Sequence, residues 1–452
     1  MRVHYLKKIL FVFLLSAGVG LIQPGPLAAY EVNKSAIVLL VSHGSDGQAM
    51  GTGSGFIVKP EGVLITNYHV LVGAHSVTAI FHDGRQVPIQ GILNVNRAQD
   101  FSILKLTGDA FSTLELGNSD LLKPYDYSSA LGYPSQTVQT QPEGLRGAIL
   151  QTFGFVLGVH SQAYPEYSFI YTTTPFSPGF SGGPLVNREN KVIGLATLEG
   201  RSINLALPIN YLKPHLHGTA LMSFEQLLAE DKNSKEAYYY QGNFKLYALG
   251  EVDRAIQLYQ KALQIDSNYA LAHYDLAVAY RGMGEVDRAI AEYQKTLSIH
   301  PNFPEALSNL GGQYFRKGEI EKAIAQFQKA LTLYPNFIQA LSNMGAALNK
   351  QGNPQGALPH LKKALGLDPE FALAHFNLGN TLFALGHWSQ AEESYNQAIR
   401  MGIDFLSLHW QLYEIHKRQG RPGEAAQELK IILEIDPENL QARALQKSLL
   451  DK

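Results

Sequence analysis

A serine, a histidine and an aspartate in the first half of the sequence could together carry out nucleophilic catalysis. Ser181 lies in the glycine-rich stretch "FSPGFSGGPL", His69 lies near the end of the apolar run "GVLITNYHV", and Asp100 directly precedes "FSILKL". A serine hydroxyl is a weak nucleophile that needs a neighbouring base, usually histidine, and an acid that fixes the tautomer of that base. The three residues therefore predict nucleophilic catalysis if the fold brings them together.

The segment around these residues reads as an all-β domain. Residues 36–210 consist of short β-type runs that are separated by Gly, Pro, Asn and Asp. Short strands with frequent turn signals, and without helical periodicity between them, are typical of a sandwich or a pair of barrels. About a dozen such runs suffice for two small barrels, whose rigid strand ends would position the three side chains.

From about residue 219 the sequence changes to Ala, Leu, Gln, Lys and Glu at helical spacing. Six glycines mark segments that follow one another at intervals of 34 residues: Gly250, Gly284, Gly318, Gly352, Gly386 and Gly420. A helix–turn–helix unit of this length resembles the tetratricopeptide repeat. The first unit, "EAYYYQGNFKLYALG", is one residue longer than "EALSNLGGQYFRKG" of the third. The sequence thus predicts an all-α solenoid after the β domain.

The β domain also resembles a known family. Its segments "GSGFIV", "GVLITNYHV", "DFSILKL", "LELGNSDLL", "ALGYP", "PGFSGGPLVN" and "VIGLATLEGRSINLALPIN" are similar, in order, to those of trypsin-fold serine proteases of the HtrA/Deg type. The resemblance covers roughly residues 36–212 and implies two β-barrels. It also implies that His69 is the general base, Asp100 its orienting acid and Ser181 the nucleophile.

The same resemblance implies the remaining parts of the site. Gly179 and Ser181 would donate oxyanion-hole N–H groups, with a third from Phe180. Trypsin-like enzymes that mature by cleavage have Asp where this chain has Phe180, and HtrA-like proteins usually have Asn there. No PDZ-type domain follows the β domain, and the repeats take that place.

The sequence offers no carboxylate for the floor of a specificity pocket. We expect the pocket near Pro175, Phe176, Ala196 and Thr197, with a preference for small or medium apolar side chains. The second serine of the turn, Ser177, matches no catalytic position. We therefore assign it to a turn or a pocket wall.

The chain divides into segments with the following predicted bounds. They are a signal peptide at 1–29, a trypsin-like protease domain at 30–217, a linker or capping helix at 218–232, six repeats and a C-terminal capping helix at 437–452. The six repeats are 233–266, 267–300, 301–334, 335–368, 369–402 and 403–436. An ordinary linker helix and a capping helix are both open for 218–232.

The repeats contain residues that could bind a peptide. Asn309, Asn343 and Asn377 occupy one position in successive repeats, and Arg316 and Lys350 follow the first two by seven residues. Asparagines on an inward face could hydrogen-bond an extended peptide, while the cations take a carboxylate. Asparagine at this position can also serve packing between helices, so generic protein docking stays an alternative.

Composition limits the class of protein. The net charge of −2 gives no concentrated basic surface for nucleic acid, and the absence of cysteine excludes disulfides and thiol chemistry. Basic residues before a short apolar run at the N-terminus predict export, with cleavage after Ala29 or retention as an anchor. We expect a bacterial-type periplasmic or extracellular protein with no membrane span beyond the signal segment, no cofactor and no metal.

Two functions from different classes follow from these observations. The first is an exported serine endopeptidase whose repeats recruit protein substrates or partners. The second is a non-catalytic scaffold, in which the β domain docks and the repeats organise a complex. On the first hypothesis, we expect that removal of residues 233–452 spares the cleavage of short peptides.

Overall fold

The predicted β domain forms two closed barrels. A computed structural model describes residues 32–134, 149–161, 168–177, 179–198, 204–218 and 220–450, so the predicted signal peptide lies outside the described residues. The strands of the first barrel are β1 Ile37–His43, β2 Ala49–Lys59, β3 Val63–Thr66, β4 Ser76–Phe81, β5 Gln86–Asn96 and β6 Phe101–Leu106. Those of the second are β7 Tyr127–Gly132, β8 Leu150–Ser161, β9 Ser168–Thr172, β10 Pro184–Val186, β11 Val192–Leu198 and β12 Asn204–Pro208.

The two barrels share one strand order. The first closes as β1-β2-β3-β6-β5-β4, and the second closes as β7-β8-β9-β12-β11-β10. All of these neighbours pair antiparallel; in β3 and β6, for example, Ile65 lies opposite Ile103 and Thr66 opposite Ser102. This register carries the chain past Thr66 towards His69 at the same end of the barrel at which Asp100 enters β6. The prediction of two barrels is therefore confirmed.

The second half is helical, as predicted. A short helix, α1 Ile209–Leu212, closes the β region, and α2 Phe224–Asp231 leads into the helix pairs. The remaining helices are α3 Lys235–Asn243, α4 Val252–Ile265, α5 Ala270–Gly282, α6 Val286–Ile299, α7 Pro304–Arg316, α8 Ile320–Leu333, α9 Ile338–Lys350, α10 Pro354–Leu367, α11 Ala372–Ala384, α12 Trp388–Arg400, α13 Leu406–Arg418, α14 Pro422–Ile435 and α15 Leu440–Leu450.

Two local features of the array follow from its sequence. The six repeat glycines all adopt positive φ, from 66° at Gly250 and Gly420 to 89° at Gly352. Helices commonly end at a glycine in this left-handed conformation. The extra residue of the first repeat is taken up by a π-helical segment, Phe244–Ala248, which continues α3. A one-residue insertion in a helix is accommodated in this way without a break in the pairing of α3 with α4.

The first barrel and the first repeats share one apolar core. Asn33–Lys452 forms a single compact unit. Within it, a continuous cluster of buried side chains runs from barrel residues such as Leu64 and Tyr68 through Tyr240 to Leu310 in α7. The second barrel and the last repeats have separate clusters. Among the described residues, no helix is long and apolar enough to cross a membrane.

Candidate active site

His69 and Asp100 form a hydrogen-bonded pair in the first barrel. The distance from His69 Nδ1 to Asp100 Oδ2 is 2.7 Å, and the backbone N–H of His69 donates to Asp100 Oδ1 at 2.9 Å. The Asp100 side chain is buried, whereas that of His69 is 27% exposed. A carboxylate that accepts from Nδ1–H leaves Nε2 as the basic nitrogen of the imidazole.

Two residues that sequence reasoning did not place here support the aspartate. The Thr197 hydroxyl donates to Asp100 Oδ2 at 3.0 Å, and the Asn67 amide donates to the Asp100 carbonyl at 2.7 Å and to the Thr197 hydroxyl at 3.0 Å. Asp100 itself has a φ of 55°. We expect Thr197 in the specificity pocket; its hydroxyl is directed at Asp100, and the pocket assignment stays a prediction. Nothing in the sequence alone signals this contact, because the two residues are 97 positions apart and meet only through tertiary packing.

Ser181 lies where the two barrels meet. It is 6% exposed, and its carbonyl accepts from the N–H of Ser54 in β2 at 2.7 Å. The next residue, Gly182, has a φ of 85°, and a Cβ atom on it would lie 2.1 Å from the Ser54 carbonyl oxygen and 2.3 Å from Thr66 Oγ1. No side chain fits there, so glycine is required for the turn to approach the strand that leads to His69.

The turn holds its amides in defined directions. Ser54 Oγ donates to the Gly179 carbonyl at 2.7 Å and accepts from the Tyr133 N–H at 2.9 Å. The N–H of Phe180 donates to the Ser177 carbonyl at 2.9 Å. We expect Phe180 as a third oxyanion donor; in this structure its amide donates inside the turn. The donor roles of Gly179, Phe180 and Ser181 all stay predictions.

The side chain of Phe180 belongs to the core of the second barrel. It is fully buried in a cluster with Ala130, Val156, Leu185 and Ile193. In trypsin-like enzymes that mature by cleavage, the residue at this place is an aspartate that pairs with a new N-terminus. Here an apolar ring anchors the turn through burial, which does not depend on a charge.

The remaining pocket residues differ in exposure. Pro175 is exposed, Phe176 is half-buried and packs against the second-barrel core, and Ala196 is buried. The Phe176 N–H donates to Asn204 Oδ1 at 3.3 Å. Residues 199–203, between β11 and β12, lie outside the described residues. The preference for small or medium apolar side chains stays a prediction.

The asparagines of the repeats are used partly within the array. Asn377 is buried and donates to the Ser342 hydroxyl at 2.9 Å, and Asn309 donates to the Tyr274 hydroxyl at 2.9 Å. Asn343 is half-buried. These contacts favour the packing role for Asn309 and Asn377 that was left open above.

The cations of the predicted groove, Arg316 and Lys350, are exposed at the ends of α7 and α9. Exposed cations are available to pair with a carboxylate, as the peptide-binding prediction requires. The peptide-binding prediction therefore depends on these cations more than on the asparagines.

One group of described residues has the spacing of metal ligands. Ligand atoms of Glu392, His416 and Glu424 lie within 4.8 Å of one another in the last repeats. The Arg421 guanidinium lies between the two glutamates, with N–H donors 3.0 Å from Glu392 and 2.8 Å from Glu424. Because Arg421 already provides the positive charge, we assign this group to stabilisation of the array.

Comparisons with known families agree with the two halves of the chain. Residues 53–195 match the family described as trypsin-like peptidase domain. Tetratricopeptide repeat families match at 246–310 and 348–402, at 311–352, and at 217–270 and 378–439.

Two curated relatives each match about a third of the chain. The protein named "Putative serine protease HhoB" from Synechocystis sp. is 32% identical over 167 residues, which cover 36% of this chain and 39% of the relative. The "Probable periplasmic serine endoprotease DegP-like" of Halomonas elongata is 32% identical over 154 residues, 34% of this chain and 31% of the relative. The chain therefore spans less than half the length of these relatives.

A solved structure of an HtrA-type protease with a tripeptide aligns at 24% identity with a TM-score of 0.35, over 40% of this chain and 58% of that chain. The fold assignment rests on the sheet topology described above. The chain thus joins a trypsin-like peptidase domain, similar in sequence to those of HtrA- and DegP-type serine proteases, to an array of tetratricopeptide repeats.

Proposed function

We propose that this chain is an exported serine endopeptidase that cleaves peptide bonds with Ser181, His69 and Asp100. The observation that carries the proposal is the Asp100 carboxylate, which accepts three hydrogen bonds: two from His69 and one from Thr197. A buried carboxylate held in this way orients the imidazole and stabilises its protonated form. A β domain that served only for docking would need no such arrangement.

We expect the reaction to proceed in two halves. Ser181 Oγ attacks the scissile carbonyl as its proton passes to His69 Nε2, and the amides of Gly179 and Ser181 stabilise the oxyanion. His69 then gives the proton to the leaving amine as the C–N bond breaks, which leaves an acyl group on Ser181. Water attacks this ester, with His69 as the base, and the proton returns to Ser181. Asp100 stays ionised throughout.

The proposal is tested by hydrolysis of an unfolded protein, such as β-casein, and of a short fluorogenic peptide. Ser181→Ala should lose activity by about three orders of magnitude or more, because only the oxyanion donors and substrate binding are left. Ser177→Ala, in the same turn, is the matched control and should stay within about twofold of wild type, because the backbone carbonyl that accepts from the Phe180 N–H is kept and the Ser177 hydroxyl matches no catalytic position. Equal activity of wild type and Ser181→Ala would refute the serine-endopeptidase proposal and favour the alternative of a non-catalytic scaffold.

We further propose that the repeats recruit protein substrates or partners. The exposed Arg316 and Lys350 support this role. Reversing both charges should raise KM for a protein substrate and leave that for a short peptide unchanged. Lys430→Glu, on the second helix of the last repeat, is the control. An equal KM for the protein substrate in all three forms would contradict recruitment through these cations.

Export and periplasmic location are also proposals. They rest on the basic and apolar segment at 1–29 and on the printed name of the Halomonas relative. Fractionation of the expressing cell, with the N-terminus of the mature protein read by mass spectrometry, tests both. A full-length chain in the cytoplasmic fraction would contradict them.

A further inference from the structure

The first repeat and the helix before it are bound to the part of the first barrel that carries His69 and Asp100. Met222, just before α2, forms an antiparallel bridge with Ile92 of β5, with two N–H···O distances of 2.8 and 2.9 Å. The apolar core of the barrel continues into α2 and α3 through buried residues such as Leu227 and Tyr240. The joint is therefore a packed interface rather than a flexible linker.

Tyr240 of α3 packs directly on the predicted general base. Its ring centroid lies 5.9 Å from that of His69, with the ring planes tilted by 32°, and 5.7 Å from that of Tyr68 in an edge-to-face arrangement. Tyr240 is 7% exposed and Tyr68 is fully buried. One face of the imidazole is thus held by a side chain of the repeat array.

The position of Tyr240 in the repeat explains why it can reach this site. With the one-residue insertion after it, Tyr240 corresponds to Asn309, Asn343 and Asn377, the residues on the inward face of later repeats. The first repeat therefore presents an aromatic ring to the barrel where the third, fourth and fifth repeats have an asparagine.

A second contact reaches the aspartate side of the pair. Arg97, three residues before Asp100, donates from Nε to Asp231 at 2.8 Å and from a terminal nitrogen to Glu230 at 2.9 Å, both at the end of α2. Asp231 is 6% exposed, and burial raises its pKa while the hydrogen bond from Arg97 opposes that shift. The pairing thus fixes the loop that leads to Asp100, because separating the two groups would leave a buried charge without its partner.

We propose that the first repeat is part of the catalytic machinery, with Tyr240 as a positioning residue for His69 and the Arg97–Asp231 pair as a support for the loop before Asp100. This inference rests on the proposed protease function. The array then contributes to the chemical step as well as to recruitment.

The physical consequence is a restriction on the imidazole. His69 must accept a proton at Nε2 and keep Nδ1–H on Asp100 in both halves of the reaction. A packed ring on one face excludes water and limits rotation away from Asp100. Without it, the imidazole samples orientations in which Nε2 no longer faces Ser181, and the fraction of productive encounters falls.

The test compares full-length Tyr240→Ala with Tyr274→Ala, which removes an equally buried tyrosine from the next repeat. Tyr274 packs on Tyr293 and Phe303 inside the array, so it controls for loss of array stability. For a short peptide, Tyr240→Ala should lower kcat about 10- to 100-fold with KM within about twofold, since misplacement of a catalytic group affects the chemical step. Tyr274→Ala should keep the wild-type kcat.

Two further variants separate the effect of the Tyr240 ring on kcat from a general loss of folding. Tyr240→Phe keeps the ring and should restore kcat, whereas Tyr240→Leu keeps apolar volume without the ring and should stay low. Equal kcat values for Tyr240→Ala and Tyr274→Ala, or full activity of Tyr240→Leu, would overturn the positioning role. If wild type itself shows no hydrolysis that depends on Ser181, the protease proposal fails first and this inference falls with it.

Discussion

The two ends of the repeat array differ in what they are packed against. At the first end, α2 and α3 share the core of the first barrel and contact the segments that carry His69 and Asp100. At the last end, α11 to α15 form separate apolar clusters within the array. In a repeat protein each unit normally contacts only its neighbours. The first repeat therefore belongs structurally to the first barrel, while the last repeats pack only within the array.

Two truncations should show the largest difference between the ends. A chain that stops after residue 232 exposes Tyr68 and the rest of the shared core, so we expect loss of the cooperative thermal transition and of activity on a short peptide. A chain that stops after residue 402 should keep short-peptide activity within about twofold of wild type, because repeats depend mainly on nearest neighbours. Circular dichroism and peptide hydrolysis measure both.

This expectation replaces the one from sequence, that removal of residues 233–452 spares short-peptide cleavage. The sequence shows the repeats and their boundary, but it does not show that their first helix shares a core with a barrel. A folded, active chain ending at residue 232 would restore the earlier expectation.

Each end of the array also has an arginine that pairs with two carboxylates, and its removal should have a smaller effect than a truncation. Arg97→Ala removes the partner of the buried Asp231 and should destabilise the protein by about 3 kcal/mol, with a fall in kcat. Arg421→Ala breaks a more exposed pair with Glu392 and Glu424 in the last repeats, worth about 1 kcal/mol, and should not change kcat. Urea unfolding and peptide kinetics compare them. The same fall in kcat for both would contradict a special role for the first joint.

Gly242 and Gly379 occupy equivalent places at the two ends of the array, so the same substitution can be compared at both. A Cβ atom on Gly242 would lie 2.5 Å from the ring of Tyr259, and one on Gly379 would lie 2.5 Å from the ring of Tyr395. Each Gly→Ala change should cost about 1–3 kcal/mol through overpacking. Only Gly242→Ala, two residues from Tyr240, should also lower the rate of peptide hydrolysis. Unchanged kcat in Gly242→Ala, despite reduced stability, would weaken the coupling.

The smallest expected effect is a dependence of the stability of the last repeats on pH. Burial lowers the pKa of His409, but hydrogen bonds with Glu428 and Asp404 more than offset this, so the pKa is raised above its ordinary 6.5. The neighbouring His416 faces Glu428 as well. The stabilisation by His409 is therefore full below pH 6.5 and is lost as the pH rises through the higher pKa of the folded state.

His409→Gln should remove this part of the pH dependence from the thermal transition of the last repeats and leave kcat unaffected. Calorimetry at a series of pH values measures it. An identical pH dependence in wild type and His409→Gln would contradict the assignment.

Much of the fold could be predicted from sequence because it depends on local patterns. Short β-type runs with frequent turn residues predicted the barrels, and the spacing from Gly250 to Gly420 predicted the helix pairs. The extra residue of the first repeat was visible as a difference in length, and it appears as the π-helical segment Phe244–Ala248. Such features need no knowledge of distant contacts.

The contacts at the site that the sequence did not reveal are mostly long-range. Thr197 lies 97 residues from Asp100, and the tyrosine that covers His69 comes from another half of the chain. The donor role of the Phe180 amide was implied by the family resemblance, which does not reveal the local hydrogen bond from this N–H to the Ser177 carbonyl. Pairing between segments far apart in sequence is set by tertiary packing, and one sequence does not display it.

Labelling with a fluorophosphonate probe shows whether Ser181 is a nucleophile that His69 activates. We expect stoichiometric labelling of the full-length protein, with the adduct located by mass spectrometry on the peptide that contains Ser181. Labelling should vanish in Ser181→Ala, fall strongly in His69→Ala and persist in Ser177→Ala. No adduct on the wild-type protein, or an adduct that survives in Ser181→Ala, would contradict the claim.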